Sequence, residues 1–170
     1  YLSIPRDAKG LKFSGSWEPL GMRGTVSREM LLEDVWVSAD SEILPPGVFG
    51  QLYQRIPHQF LGFSATFLGV MQASYDFAID YLTGKTPGAP NERDGASDMT
   101  NAVAEMLFTL EGTRALYYRA ISEMRLDPTV ESVQRARAAH TKVQRAAVQI
   151  TGEAIRVCGG RAYLKQYPLE

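Results

Sequence analysis

Three stretches of this 170-residue chain set apolar residues at steps of three and four over many turns, and that spacing restricts what the chain can become. In the first, Leu61, Ala65, Leu68, Tyr75, Ile79 and Leu82 recur over about six helical turns. The same stretch carries Gly62, Gly69 and Ala73, small residues that would let a neighbouring helix approach closely. In the second, Met99, Val103, Met106, Leu110, Thr113, Tyr117, Ala120 and Met124 form the stripe, with Ser97 or Asp98 as N-cap. The third runs through Val133, Ala136, His140, Val143, Ala147, Ile150, Ala154 and Val157. Asp127 is expected to cap it, Pro128 to be its first helical residue, and Gly159-Gly160 to stop it. Helices of this kind cannot bury their stripes singly. They must pack on one another, as an antiparallel up-down bundle, or on a partner chain. With Ala, Thr and Tyr in the stripes instead of solid Leu, close packing is expected, with space for a fourth helix from elsewhere.

The first 48 residues follow different rules. Leu11-Lys12-Phe13-Ser14 alternates apolar and polar residues, the period of a half-buried strand. Tyr1-Leu2-Ser3-Ile4, Met30-Leu31-Leu32 and Val35-Trp36-Val37 also read as strand, separated by Lys9-Gly10, Leu20-Gly21 and Arg23-Gly24. Leu44-Pro45-Pro46-Gly47 reads as a connector. The expected fold class is therefore α+β and mainly α: residues 1–48 are part of a β-domain, and residues 49–170 form a helical bundle. The chain opens inside an apparent strand and stops at Pro168-Leu169-Glu170, and both ends read as cuts. A β part this short makes an incomplete sheet.

Charge and composition exclude several functions. A formal net charge of −1 argues against a nucleic-acid binder, which carries a clear basic surplus. No apolar run approaches the ~20 residues that span a bilayer. The lone Cys158 cannot form an internal disulfide, which fits a cytoplasmic location. The chain has no G-x-G-x-x-G, P-loop, G-x-S-x-G or H-E-x-x-H, and one Cys with two distant His residues makes no metal site.

What remains is sparse. His140, on an apolar stripe, reads as a hydrogen-bonded core histidine before it reads as a ligand. His58 follows Pro57 at a helix start; it is a candidate general base, although a surface cap residue is the preferred reading. Gly159-Gly160 is either a helix C-cap or a place where backbone closely approaches a phosphate-bearing ligand. Arg156, one turn earlier, adds weight to the second reading because a guanidinium bonds phosphate in bidentate fashion. The Gly84–Gly95 loop reads as a connector, and Arg135, Arg137, Lys142 and Arg145 as a solvated face. Tyr117 and Tyr118 cannot share a helix face, so one belongs to the core and the other to an interface.

Several motifs resemble the acyl-CoA dehydrogenase family. Trp17-Glu18-Pro19-Leu20-Gly21-Met22-Arg23-Gly24-Thr25-Val26-Ser27, then Leu32-Glu33-Asp34-Val35-Trp36-Val37, resembles the second half of that family's β-domain. Leu68-Gly69-Val70-Met71-Gln72-Ala73 resembles the first long helix of its C-terminal domain. Cys158-Gly159-Gly160-Arg161-Ala162-Tyr163, continuing to Pro168-Leu169-Glu170, resembles its closing segment. In order, these motifs cover nearly the whole chain.

The resemblance implies a subunit of a homotetramer or dimer that holds FAD at an interface and oxidises an acyl-CoA substrate across Cα–Cβ. A related branch consists of flavin-dependent monooxygenases, for which FMN is also possible. A third implied alternative is a non-catalytic partner subunit. The family's R-x-x-F-G segment, which contacts the FAD pyrophosphate, corresponds to Gly84-Lys85-Thr86-Pro87-Gly88, without the arginine and phenylalanine. Its Q-x-x-G-G corresponds to Arg156-Val157-Cys158-Gly159-Gly160, with the glutamine replaced. The implied cofactor-binding residues are thus Arg156, Gly159, Gly160, Lys85 and Thr86, with Arg156 supplying the charge that Gly84 lacks. The implied catalytic base lies beyond Glu170, because His58-Gln59-Phe60, the other family position, holds no carboxylate.

Overall fold

A computed structural model describes residues 1–89 and 97–169. Residues 90–96 of the expected connector, the side chains of Ser97 and Asp98 proposed as caps, and Glu170 lie outside the described residues. The chain forms two compact units, Tyr1–Leu52 and Tyr53–Glu170.

The first unit contains one antiparallel hairpin, β1 (Leu11–Ser14) and β2 (Glu29–Leu32). Leu11 lies opposite Leu32 and Phe13 opposite Met30, and Lys12 pairs with Glu33 at 2.6 Å. Two of the expected strands do not form. Val35-Trp36-Val37 joins no ladder, and Tyr1–Ile4 contributes only a single bridge, Leu2 to Glu42. A strand needs a paired edge: residues 35–37 add to neither side of the two-stranded sheet, and residues 1–3 exchange their backbone bonds with residues 41–44 without extending into a ladder. A short helix that the sequence pattern did not reveal, α1 (Val48–Arg55), follows the Leu44–Gly47 connector.

The second unit holds the core. It consists of α2 (Leu61–Leu82), α3 (Ser97–Ser122) and α4 (Val130–Cys158), closed by a 3-10 turn at Gly160–Tyr163. Contacts along the helices give their directions. The start of α2 meets the end of α3 where Tyr117 donates to the Leu61 carbonyl, and the end of α3 meets the start of α4 through Glu123 and Arg135. Ser64, early in α2, bonds His140 in the first half of α4. Hence α3 runs antiparallel to both α2 and α4, as an up-down bundle requires.

The expected stripes of α3 and α4 are largely the buried faces. Met106, Leu110, Thr113, Tyr117 and Ala120 are buried on α3; Ala136, Val143, Ala147, Ile150, Ala154 and Val157 are buried on α4. Tyr117 is core and Tyr118 is 61% exposed. At the far end of the α3 stripe, Met124 is exposed.

On α2 the phase differs. The buried set is Leu61, Ser64, Leu68, Met71, Ser74, Ala78 and Tyr81, while Ala65 is exposed. Gly62, Gly69 and Ala73 face outward too, and a Cβ on either glycine would meet nothing within 4 Å. The small buried residues of α2 are instead Ser64, Ser74 and Ala78, while α4 buries Ala136, Ala139, Ala146, Ala147 and Ala154. The apolar side chains of α2 were misleading because they surround it: Phe63 (72% exposed), Phe67 and Val70 lie outside the core. A helix that is apolar on every side is normally covered on every side.

The start of α4 also departs from expectation. Thr129, not Asp127, is the N-cap: its side chain accepts from the Ser132 N–H at 3.3 Å, and the helix begins at Val130. Asp127 sits at φ 53° in the preceding turn, where its carboxylate takes two bonds from Arg55 at 3.2 and 3.0 Å and its N–H donates to the Arg55 carbonyl. That clamp ties the approach to α2 to the α3–α4 turn. Of the basic residues assigned to a solvated face, Arg135 is paired with Glu123 at 2.6 Å.

Two predictions concern this unit. Replacing Thr129 with alanine removes the cap and should lower the unfolding free energy by about 1 kcal/mol in denaturant titration; an unchanged midpoint would contradict the assignment. The second concerns acid. The Arg55 hydrogen bond holds the Asp127 carboxyl below its usual range, and Arg135 does the same for Glu123. Depressed folded-state values add stability above the unfolded carboxylate range, near about pH 4, and lose it as pH falls through the folded values. Melting temperature should drop below about pH 4, and Asp127→Asn should flatten that drop; an identical pH profile in the variant would refute the clamp.

Candidate functional site

The residues singled out as cofactor contacts lie at the C-terminal ends of two helices, Lys85 and Thr86 after α2, and Arg156, Gly159 and Gly160 at the end of α4. At α4, helical hydrogen bonding finishes when the Gly159 N–H donates to the Ile155 carbonyl at 2.9 Å. Gly159 then adopts φ 79°, ψ −172°, a region essentially restricted to glycine. A Cβ on Gly159 or Gly160 would meet nothing within 4 Å, so bare backbone faces open space at this point. Beyond it the Gly160–Tyr163 turn begins, anchored by fully buried Ala162, whose N–H donates to the Gly159 carbonyl at 2.9 Å. The first N–H groups of such a turn have no acceptor within it.

The segment after α2 folds back on its own helix. The N–H groups of Lys85 and Thr86 both donate to the Asp80 carbonyl, at 2.8 and 3.2 Å, and the Lys85 ammonium lies 3.9 Å from the Asp80 carboxylate. Both partners are solvent-exposed, so the pair adds little and leaves the ammonium available.

Tyr167 joins the two segments. It is buried, stands edge-on to Tyr81 at 5.6 Å and lies 5.7 Å from Phe77. Its hydroxyl donates to the Pro87 carbonyl at 3.4 Å. Gly88 makes that approach possible: it has φ 78°, and a Cβ there would come within 3.1 Å of the Tyr167 hydroxyl. This aromatic clasp escaped the sequence reading because Tyr167 lies outside any helix and carries no periodicity. Only its closeness to the Pro168 motif pointed that way.

Arg156 does not join the Lys85–Gly88 segment. Its guanidinium donates to Glu153 at 2.7 Å and lines a recess of about 260 Å³ between α3 and α4, with Ala102, Glu105 and Gln149 among the walls. The two cations therefore have separate carboxylate partners and lie on different elements: Lys85 past the end of α2, Arg156 on the α3 side of α4.

The two histidines also separate. His140 is half-buried and its Nδ1 is 2.9 Å from the Ser64 hydroxyl, the hydrogen-bonded histidine that its stripe position implied. His58 is only 3% exposed, not the surface cap residue expected. The turn formed by Pro57–Phe60 tucks it inward before α2 begins. Among the described residues no cluster of His, Cys, Asp and Glu could hold a metal ion, and no helix is long and apolar enough to cross a membrane.

The family described as the acyl-CoA dehydrogenase C-terminal domain matches residues 61–170, the helical unit and its clasp. Among curated proteins, the mitochondrial short-chain specific acyl-CoA dehydrogenase of Bos taurus is 29% identical over 98% of this chain and 40% of its own length. The cyclohex-1-ene-1-carbonyl-CoA dehydrogenase of Geobacter metallireducens is 25% identical over 98% of this chain and 44% of its own. Butyryl-CoA dehydrogenase from Megasphaera elsdenii has a similar structure, with a TM-score of 0.78 at 19% identity, covering 99% of this chain and 43% of that one. Dibenzothiophene monooxygenase from Paenibacillus sp. A11-2 superposes at a TM-score of 0.77 and 19% identity, over 94% of this chain and 45% of that one. The chain thus spans about 40% of the length of the curated relatives it matches. With its helical unit matched from Leu61 onward, the chain belongs to the acyl-CoA dehydrogenase family.

Proposed function

We propose that this chain is the C-terminal half of a cytoplasmic flavin-dependent oxidoreductase subunit that takes acyl-CoA thioesters and dehydrogenates them across Cα–Cβ. The observation that carries the reading is the Gly159-Gly160 step. It presents backbone without side chains to open space at the end of α4, and nothing among the described residues requires Gly160 to be glycine.

The residues present fit a dinucleotide's phosphates. The opening N–H groups of the Gly160–Tyr163 turn have no acceptor within the turn, and no Cβ obstructs close approach. Arg156 and Lys85 flank the region as exposed cations, each held by a surface carboxylate that solvent screens. Thr86 adds a hydroxyl beside Lys85. When bound, FAD supplies the hydride acceptor. Within the chain, Gln59 is a neutral amide and His58 is enclosed, so neither suits the role of proton-abstracting base. Identical subunits, in a dimer or homotetramer, would cover the apolar outer side of α2 formed by Phe63, Phe67 and Val70.

One observation favours a second reading, oxygenation of an aromatic or sulfur substrate by reduced flavin. Gly84 stands where the dehydrogenase pattern has an arginine, and Arg156 where it has a glutamine. A non-catalytic partner subunit is the third possibility.

Anaerobic addition of a panel of acyl-CoA thioesters to the complete flavin-loaded subunit separates these readings. Bleaching of the flavin absorbance supports dehydrogenation; bleaching only by an added reductant, followed by oxygen-dependent turnover, supports oxygenation. For the site itself, Gly160→Val should leave the melting temperature of the flavin-free protein unchanged and weaken flavin retention about ten-fold, equivalent to about 1.4 kcal/mol. Equal flavin content in the variant would refute the role of the glycine step.

A further inference from the structure

We propose that a recess between the approach to α2 and the first half of α4 is a separate binding site for a flat organic anion, an aromatic or cyclic carboxylate. The recess has a volume of about 600 Å³ and is lined by Tyr53, Pro57, Phe60, Arg137, His140 and Thr141. That size lies in the usual range for small-molecule sites, which combine apolar walls with a few convergent polar groups.

The two walls differ in chemistry. Tyr53, Pro57 and Phe60 supply the apolar side. On the α4 side, Arg137 and Thr141 are one turn apart, with His140 between them in sequence. Arg137 is solvent-exposed and has no carboxylate or hydrogen-bond partner among the described residues. A free guanidinium beside aromatic walls is the donor best suited to a planar carboxylate, which it can hold through two parallel bonds.

His140 is set toward the same space. Ser64, fully buried, holds Nδ1 at 2.9 Å, and the imidazole lies 5.0 Å from the Phe60 ring at an interplanar angle of 59°. Nε2 is then the ring nitrogen without a protein partner among the described residues. Arg137 and His140 thus line the same recess as the apolar Tyr53, Pro57 and Phe60.

The surroundings favour negative charge as well. From Ser132 to Gly152, α4 carries Arg135, Arg137, Lys142 and Arg145 and no acidic residue. Among the described residues, Arg135 alone of these has a carboxylate partner, Glu123. The outward side of the helix is therefore positive beside the recess and raises the local concentration of anions.

The inference does not rest on the flavin reading, and its test uses the chain without cofactor. Calorimetric titration with 2-naphthoate should give saturable binding, while the neutral isostere 2-naphthamide should bind at least about ten-fold more weakly. Arg137→Gln, a change at an exposed position, should weaken naphthoate about ten-fold. Arg145→Gln, on the same helix but outside the recess, should leave it unchanged. Imidazole resonances of His140 should shift with naphthoate and not with the amide. The proposal is overturned if wild-type protein shows no saturable naphthoate binding at millimolar concentration, if acid and amide bind alike, or if Arg145→Gln loses as much as Arg137→Gln.

Discussion

The packing of α2 and α3 onto the alanine-lined face of α4 is the interaction on which the helical unit depends. Ala136, Ala139, Ala146, Ala147 and Ala154 keep that face narrow, and Val143, Ile150 and Val157 fill the gaps between them. Small side chains lose little rotamer freedom on burial and bring helix axes close, so contacts are many although no single residue is large. Tyr81, Leu61, Met71, Met106 and Leu110 provide the bulk from the opposing helices. Polar groups within this core are few and mostly absorbed: Ser64 into His140, and Ser74 into the carbonyl one turn back.

Rigid packing at the middle gives the ends their geometry. At one end the Arg55–Asp127 clamp and the Thr129 cap settle where α2 and α4 begin. At the other, Tyr167 reaches from beyond α4 to the segment after α2, a framework of ring contacts with Tyr81 and Phe77 and a hydrogen bond to the Pro87 carbonyl. The flavin reading needs such a framework, because a backbone donor is useful to a phosphate only when its position is fixed before the ligand arrives. The outer side of α2, with Phe63, Phe67 and Val70, is apolar and uncovered within this unit.

The bundle was legible because three- and four-residue periodicity reports burial directly when one face is apolar, as on α3 and α4. On α2 it failed in phase. Phe63, Phe67 and Val70 face outward while Ser64 and Ser74 face in, so hydrophobicity no longer distinguishes the two sides. The α4 cap was misplaced because Asp127 and Thr129 are both good capping residues; only the Arg55 partner, 72 positions away, settles which one is used. In the first unit, alternation found β1 and β2 but overcounted strands, since pairing depends on neighbours that local pattern does not contain. At the candidate site, glycine chemistry was readable at Gly159-Gly160, where chain direction must change. The Tyr167 clasp was not, because it is a contact between two irregular segments. His58 was misread for a similar reason: a turn buried it, and turns leave no periodic trace.

Native-state hydrogen exchange of the helical unit tests the central claim most directly. If α4 is the common core, the amides of Val143, Ala147 and Ile150 should open together with those of Met71 and Leu110, in one cooperative event at the global unfolding free energy. Protection should then fall abruptly past Cys158. Were α4 to exchange independently of α2 and α3, at a lower free energy, the account of a bundle organised around it would be wrong.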